Sequence, residues 1–149
     1  MDIKRISPFL SVSPQIAVAD LRKIAALGFK TVINNRPDGE AGGQPLNADL
    51  ADEAKKNGLV YIFQPVSSKQ VTDGDAVNFA TELDRVRGPV LAFCRTGTRC
   101  TILWALNEAH HMDANDLMRF ARSIGIKLKG ERDRLQQIFL QSNPSGRAD

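Results

Sequence analysis

The sequence has little of the material that marks a specialised architecture. Cysteine occurs twice in 149 residues, at Cys94 and Cys100, so no disulfide framework is available and a reduced, cytoplasmic setting is expected. Histidine also occurs twice, as the adjacent pair His110 and His111. Neighbours on a helix diverge, and no second pair has metal-ligand spacing, so neither a metal nor a cofactor is expected. With one Trp, one Tyr and no run of Lys or Arg, the chain lacks the basic stripe and stacking residues of a nucleic-acid surface. No apolar stretch is long enough to span a membrane or serve as a signal peptide. Charge of one sign is scarce too: 20 basic against 17 acidic residues leave +3, which suits a small anionic ligand.

What is present is an ordered alternation. A chain of this length fits one domain, expected over residues 1–141, with a disordered tail over 142–149 where Asn, Pro, Ser and Gly accumulate. Short apolar or β-branched runs predict strands at 3–6, 9–12, 30–34, 59–63 and 90–93. Helical spacing predicts helices at 17–27, 46–57, 73–87, from 100 or 101 to 111, at 115–123 and at about 131–140. Glycines at 28, 58 and 88 punctuate the first three. Strands alternating with helices imply an α/β fold with a mostly parallel central sheet covered on both faces. Ligands bind beyond the carboxyl ends of such strands, so the loops 36–45, 65–72 and 94–99 should converge on one site.

The third of these loops carries chemistry. The run Val90-Leu91-Ala92-Phe93 reads as a strand buried on both faces, and it ends at Cys94-Arg95-Thr96-Gly97-Thr98-Arg99 before a helix. A thiol at a strand-to-helix turn faces unpaired N–H groups and the positive end of the helix dipole, which favour its thiolate. Such settings lower a Cys pKa from about 8.5 to between about 3.5 and 7.5. Gly97 lets successive N–H groups of Thr96 and Thr98 turn inward as an anion nest. Arg95 and Arg99 add charge, and one can grip an oxyanion with two hydrogen bonds. A lone buried Cys usually just packs; two arginines and a central glycine argue for a nucleophile instead.

Two enzyme classes resemble this loop. Cys-based phosphatases carry His-Cys-x5-Arg, and the segment before Cys94 is similar to their dual-specificity members. More closely, the chain up to about His111 resembles the bacterial beta-lactamase-hydrolase-like phosphatase domain, through Ser13-Pro14-Gln15, Asn35-Arg36-Pro37-Asp38-Gly39-Glu40 and the Cys94 loop. That resemblance implies a dual-specificity-phosphatase-like fold. Many single-domain rhodaneses carry Cys-Arg-x-Gly-x-Arg, which the loop matches position for position, although the likeness stops there.

The choice between them rests on departures from the phosphatase pattern. Phe93 replaces the His, Cys100 occupies the position of the phosphate-gripping Arg, and Arg99 comes one residue early. A shorter loop reads as a tighter cradle for a smaller guest. Ester hydrolysis needs a general acid, which the resemblance places near Pro65, where this chain has Ser67 and Ser68. Asp38 sits in a Pro-Asp-Gly turn, and Asp75 forms a capping box with Thr72. Arg36 shares the Asp38 loop as a possible accessory. Cys100 either resolves a persulfide or fills a small space. The expectation is therefore a rhodanese-type sulfurtransferase working through a Cys94 persulfide, with a small sulfur anion or persulfide as donor and a thiol as acceptor. The alternatives are a Cys-dependent phosphatase and a non-catalytic thiol sensor. Because relatives occur joined to a sulfur dioxygenase-type metallo-hydrolase, the resemblance also implies such a partner.

Overall fold

Two short strands open the chain, β1 (Lys4–Arg5) and β2 (Leu10–Ser13). Helix and strand then alternate through α1 (Asp20–Ala26), β3 (Thr31–Asn34), α2 (Asn47–Lys56), β4 (Val60–Phe63), α3 (Asp73–Arg85) and β5 (Val90–Phe93). Three helices close it: α4 (Thr98–Glu108), α5 (Ala114–Ser123) and α6 (Arg132–Ser142). This is a computed structural model, and it describes residues 1–144.

The strands form one sheet in the order β1-β2-β5-β3-β4. Only β1 runs antiparallel to its neighbour. The last strand to be made, β5, therefore lies between β2 and β3. Its register aligns Phe93 with Ser13 on one side and with Asn34 on the other, and Asn34 aligns with Phe63. Four strands thus end in one row, and the segments that follow leave from the same edge. That row places the site.

Alternation along β5 divides the core. Val90 and Ala92 join the cluster containing Phe79, Leu103, Leu106, Leu117 and Leu135, from the face covered by α3 to α6. Leu91 and Phe93 join Leu21, Ile24 and Leu50 on the face covered by α1 and α2. All four β5 side chains are fully buried, as a wholly apolar central strand requires. Leu117, Ala121 and Leu135 are likewise fully buried, so the apolar stripes of α5 and α6 pack within the molecule.

Most element ends shift by one to three residues from expectation, α1 for example spanning Asp20–Ala26 instead of 17–27, and two of these shifts bear on the tail and the site. Helix α6 runs on through Ser142, where the tail was expected to begin, because contacts to the end of α4 hold its last turn. The Ser142 hydroxyl lies 2.6 Å from His110 Nδ1, and Asn143 Nδ2 donates to the His110 carbonyl at 2.9 Å. Residues 145–149 of the expected tail lie outside the described residues. Helix α4 begins at Thr98 rather than at 100 or 101, since Gly97 adopts the left-handed conformation (φ +89°) and serves as its N-cap. Among the described residues no helix is long and apolar enough to cross a membrane.

Candidate active site

Cys94 lies at the floor of the turn between β5 and α4. Its N–H donates to the Ser13 carbonyl at 3.4 Å, tying the loop to the end of β2, and its side chain is fully covered. The chain then reverses at Gly97, whose N–H donates to Cys94 Sγ at 3.1 Å. A Cβ at Gly97 would sit in ordinary contact with the Ser13 carbonyl group at 3.5 Å, so it is the positive φ of +89° that calls for glycine here. The N–H groups of Thr96 and of Cys100, the latter in the first turn of α4, also point at the sulfur.

Arg99 is the second residue of α4, and its guanidinium is anchored from another loop. Nη1 donates to Glu40 Oε2 at 2.8 Å and to the Val66 carbonyl at 2.9 Å; Nη2 donates to Glu40 Oε1 at 2.7 Å. Arg36 Nε donates to the same Glu40 Oε1 at 2.9 Å, and Arg36 Nη1 donates to Gln15 Oε1 at 3.0 Å. Both arginines are largely buried, at 4% and 8% exposure, so Glu40 compensates two cations with little water to help. Those cations hold the Glu40 carboxyl below its ordinary range, Arg99 first and then Arg36, against the opposing effect of burial. A guanidinium has five N–H donors. Three of Arg99's are used, which leaves the Nε–H and one Nη2–H side by side as a two-toothed edge.

Cys100 completes the floor. It is fully buried, and its thiol donates to Asn35 Oδ1 at 3.2 Å, while Asn35 Nδ2 donates to the Gln64 carbonyl at 2.9 Å and so fixes which way that amide faces. The Cys100 thiol has a single proton, and the rotamer of that S–H that turns it from Asn35 toward the Cys94 sulfur stabilises the Cys94 thiolate. This contact is the largest influence on Cys94, followed by burial in opposition, then the Cys100 and Thr96 amides and the Arg99 charge. Together they bring its pKa from 9.0 to about 6. Burial, with the Cys94 thiolate beside it, drives Cys100 well above 9.0. The two thiols thus take opposite states at neutral pH, an ionised nucleophile and a protonated donor. A titration of thiolate ultraviolet absorbance should show one transition, rising with pH and half complete near pH 6, with Cys100 silent through neutrality. In Cys100→Ala the midpoint should move upward, because the largest stabiliser of the thiolate is gone; an unmoved midpoint would show that Cys100 is only filler.

The remaining expected residues fall at varied distances from this centre. Arg95 and Thr96 are exposed on the outer wall of the loop, and Thr96 Oγ1 donates to Thr98 Oγ1 at 3.0 Å. Ser67 and Ser68 are exposed on the segment between β4 and α3, and Ser67 Oγ accepts from the Lys69 N–H. Asp38 Oδ1 accepts from the Asn47 N–H at 2.8 Å, so it caps α2. Thr72 and Asp75 make both bonds of the expected capping box. The three expected loops do converge, through Arg99 with Glu40 and Val66. A fourth segment, Ser13-Pro14-Gln15, joins them, and the Gln15 N–H donates to the Arg95 carbonyl at 3.2 Å. Gln15, Asn35 and Glu40 were visible only as motif letters, with no role to assign. Among the described residues no group of three His, Cys, Asp or Glu side chains is placed to hold a metal ion.

A parallel sheet with an anion cradle at the end of its central strand, and an arginine entering from the next helix, defines the class of Cys-based phosphatase folds. Within that class the chain belongs to the family "Beta-lactamase hydrolase-like protein, phosphatase-like domain", whose sequence profile matches residues 2–111. A beta-lactamase hydrolase-like protein of Agrobacterium fabrum is 37% identical over 130 residues, 86% of this chain but 30% of the relative. The chain therefore spans only about a third of that relative's length. A crystal structure from Neisseria meningitidis, described as a candidate phosphatase, is 36% identical, with a TM-score of 0.85 over 93% of this chain and 99% of that one. The TpbA structure from P. aeruginosa, in complex with pTyr, shares the fold at 17% identity, with a TM-score of 0.65 over 93% of this chain and 90% of that one.

These likenesses overturn the sulfurtransferase expectation. Kinship with phosphatase-like proteins extends over most of the chain, whereas the rhodanese match is confined to six residues. The geometry explains why the departures misled. Arg99 comes one residue early along the chain, yet its guanidinium still lines the groove at the cysteine loop, held there by Glu40 and the Val66 carbonyl.

Proposed function

We propose that the protein is a Cys-dependent phosphatase that works through a phosphocysteine. The observation that carries this reading is the Cys94 sulfur, held as a thiolate near neutral pH beneath inward N–H groups and beside the open edge of Arg99. The Nε–H and Nη2–H of Arg99 match two oxygens of a phosphoryl group. The loop amides take the third and strengthen their hold as charge develops in the transition state. Cys94 attacks in line with the departing oxygen, and water then releases phosphate and restores the thiolate. Glu40 and Arg36 touch neither partner; they keep Arg99 in position. The pTyr complex of the structural neighbour supports an aryl phosphate as a first probe. A cytoplasmic setting belongs to the same proposal, since a nucleophilic thiol must stay reduced to act.

The test is hydrolysis of p-nitrophenyl phosphate with rapid acid quenching and mass spectrometry of the intact chain. A phosphate adduct on Cys94 that forms and decays with turnover is expected. Turnover without that adduct, or with the adduct elsewhere, would overturn the covalent route.

A further inference from the structure

Two observations outside the cradle concern the leaving group. The first is that no carboxyl group is available to protonate it. Among the described residues, the acids near the loop are all committed. Glu40 is clamped between two arginines, and Asp38 caps α2. Asp73 is paired with Arg134 at 2.8 Å, and Asp75 closes its capping box. Glu131 accepts from Arg134 at 3.4 Å. The segment that follows β4, residues 64–72, contains no Asp or Glu; where the acid was expected it has Ser67 and Ser68.

The second observation is a groove of about 370 Å³ that starts at the cysteine loop. Thr96, Thr98 and Arg99 form its inner wall, and Lys69, Arg95 and Lys129 line it further out. These last three come from different segments, are exposed, and among the described residues form no salt bridge. Glu131, which shares Arg134 with Asp73, is the one carboxylate on the lining, against the four cations Lys69, Arg95, Arg99 and Lys129. Where a monoester phosphatase needs an acid beside the leaving oxygen, this chain presents uncompensated positive charge.

A general acid contributes about 10²- to 10⁴-fold when the leaving group is a poor one. An alkoxide, about as basic as hydroxide in bulk water, is poor. A phosphate whose own second ionisation lies near 6 leaves unaided, as an anion that lysines and arginines attract. We propose that the substrate is a phosphoric anhydride, with its terminal phosphoryl group in the Cys94 cradle and the phosphate that departs held in the groove by Lys69, Arg95 and Lys129. This rests on the phosphatase reading and specifies its substrate class. In the first step the Cys94 thiolate forms an S–P bond, and the P–O bond to the bridging oxygen breaks. That oxygen keeps the electron pair, and no proton moves. In the second, water attacks phosphorus and the S–P bond breaks. The thiolate returns, and both protons of the water leave on the released dihydrogen phosphate.

The experiment compares kcat/KM for inorganic diphosphate, p-nitrophenyl phosphate and glycerol phosphate, in the unaltered protein and in the Lys69→Ala/Lys129→Ala double variant. Diphosphate is expected to exceed glycerol phosphate by at least about 100-fold, the low end of what a missing acid forfeits. In the double variant the ratio of diphosphate to p-nitrophenyl phosphate should fall at least about tenfold, as expected for two charge-assisted contacts. Both lysines are exposed, so unfolding temperature serves as the folding control. Glycerol phosphate and diphosphate turned over at similar rates would overturn the proposal, as would an unchanged ratio in the variant. If p-nitrophenyl phosphate is cleaved and diphosphate is not, the anhydride assignment alone falls. If none of the three is cleaved, the phosphatase reading falls and takes this one with it.

Discussion

Replacing Cys94 by serine should lower kcat on p-nitrophenyl phosphate by on the order of 10⁵, the scale of losing a covalent nucleophile. At about 1.36 kcal/mol per decade, that is roughly 7 kcal/mol of transition-state stabilisation. A serine hydroxyl in this place still receives the Gly97 N–H, but it cannot ionise near neutrality as the thiolate does. The cradle itself survives, and repulsion between thiolate and phosphate dianion disappears. The serine variant is therefore expected to bind phosphate as tightly as the unaltered protein or more so, measured by titration calorimetry. Loss of binding together with turnover would mean that the substitution had collapsed the loop. Retention of turnover would remove Cys94 from the chemistry altogether.

Glu40→Ala should be the most costly substitution for stability among the site residues. It leaves Arg36 and Arg99 without their shared counter-ion while both stay largely out of water. Breaking such a pair costs about 3 kcal/mol at the lower end of the usual range. For a chain of this size that lowers Tm by on the order of 10 °C, readable by calorimetry. Glu40→Gln keeps the shape and one acceptor oxygen but loses the charge and the second acceptor, so its loss should be intermediate. The pH dependence has a definite sign. The Glu40 carboxyl is depressed below 4.5 in the folded protein, so its contribution is complete above that pH and disappears as the solution becomes more acid. The difference in Tm between Glu40→Ala and the unaltered protein should therefore narrow on acidification. A constant difference would mean that packing, and not charge, accounts for the loss.

What could be read in advance was whatever depended on neighbours in sequence. Strand β5 matches its predicted limits because four consecutive apolar residues allow little else. The Thr72–Asp75 capping box was legible because both halves lie within one turn. The cysteine loop was legible for the same reason: nucleophile, glycine and arginine are contiguous. Glu40 was not, because its role depends on β3 lying beside β5, and alternation of strands and helices does not specify strand order. Gln15 and Asn35 depend on that order too. The early start of α4 was hidden by Gly97, which in sequence looks like any loop glycine and in space is a helix cap. The sulfur assignment had another source: Arg99 one residue early, Cys100 in the usual Arg position and no acid at Ser67 and Ser68 were read as spacing along the chain, before the partners of Arg99 in space could be seen.

The position of β5 also governs when the molecule can become active during its own synthesis. Strands β2 and β3 are never neighbours; each waits for β5 to fill the slot between them. Until residue 93 is available, β2 and β3 each lack a partner on one side, and the chain carries open sheet edges. When β5 inserts, it unites the two halves of the sheet and delivers Cys94 to the Ser13 carbonyl in the same movement. A nascent chain halted before α4 thus has neither a closed core nor a poised thiolate, and reactivity arrives only with the finished body that contains it.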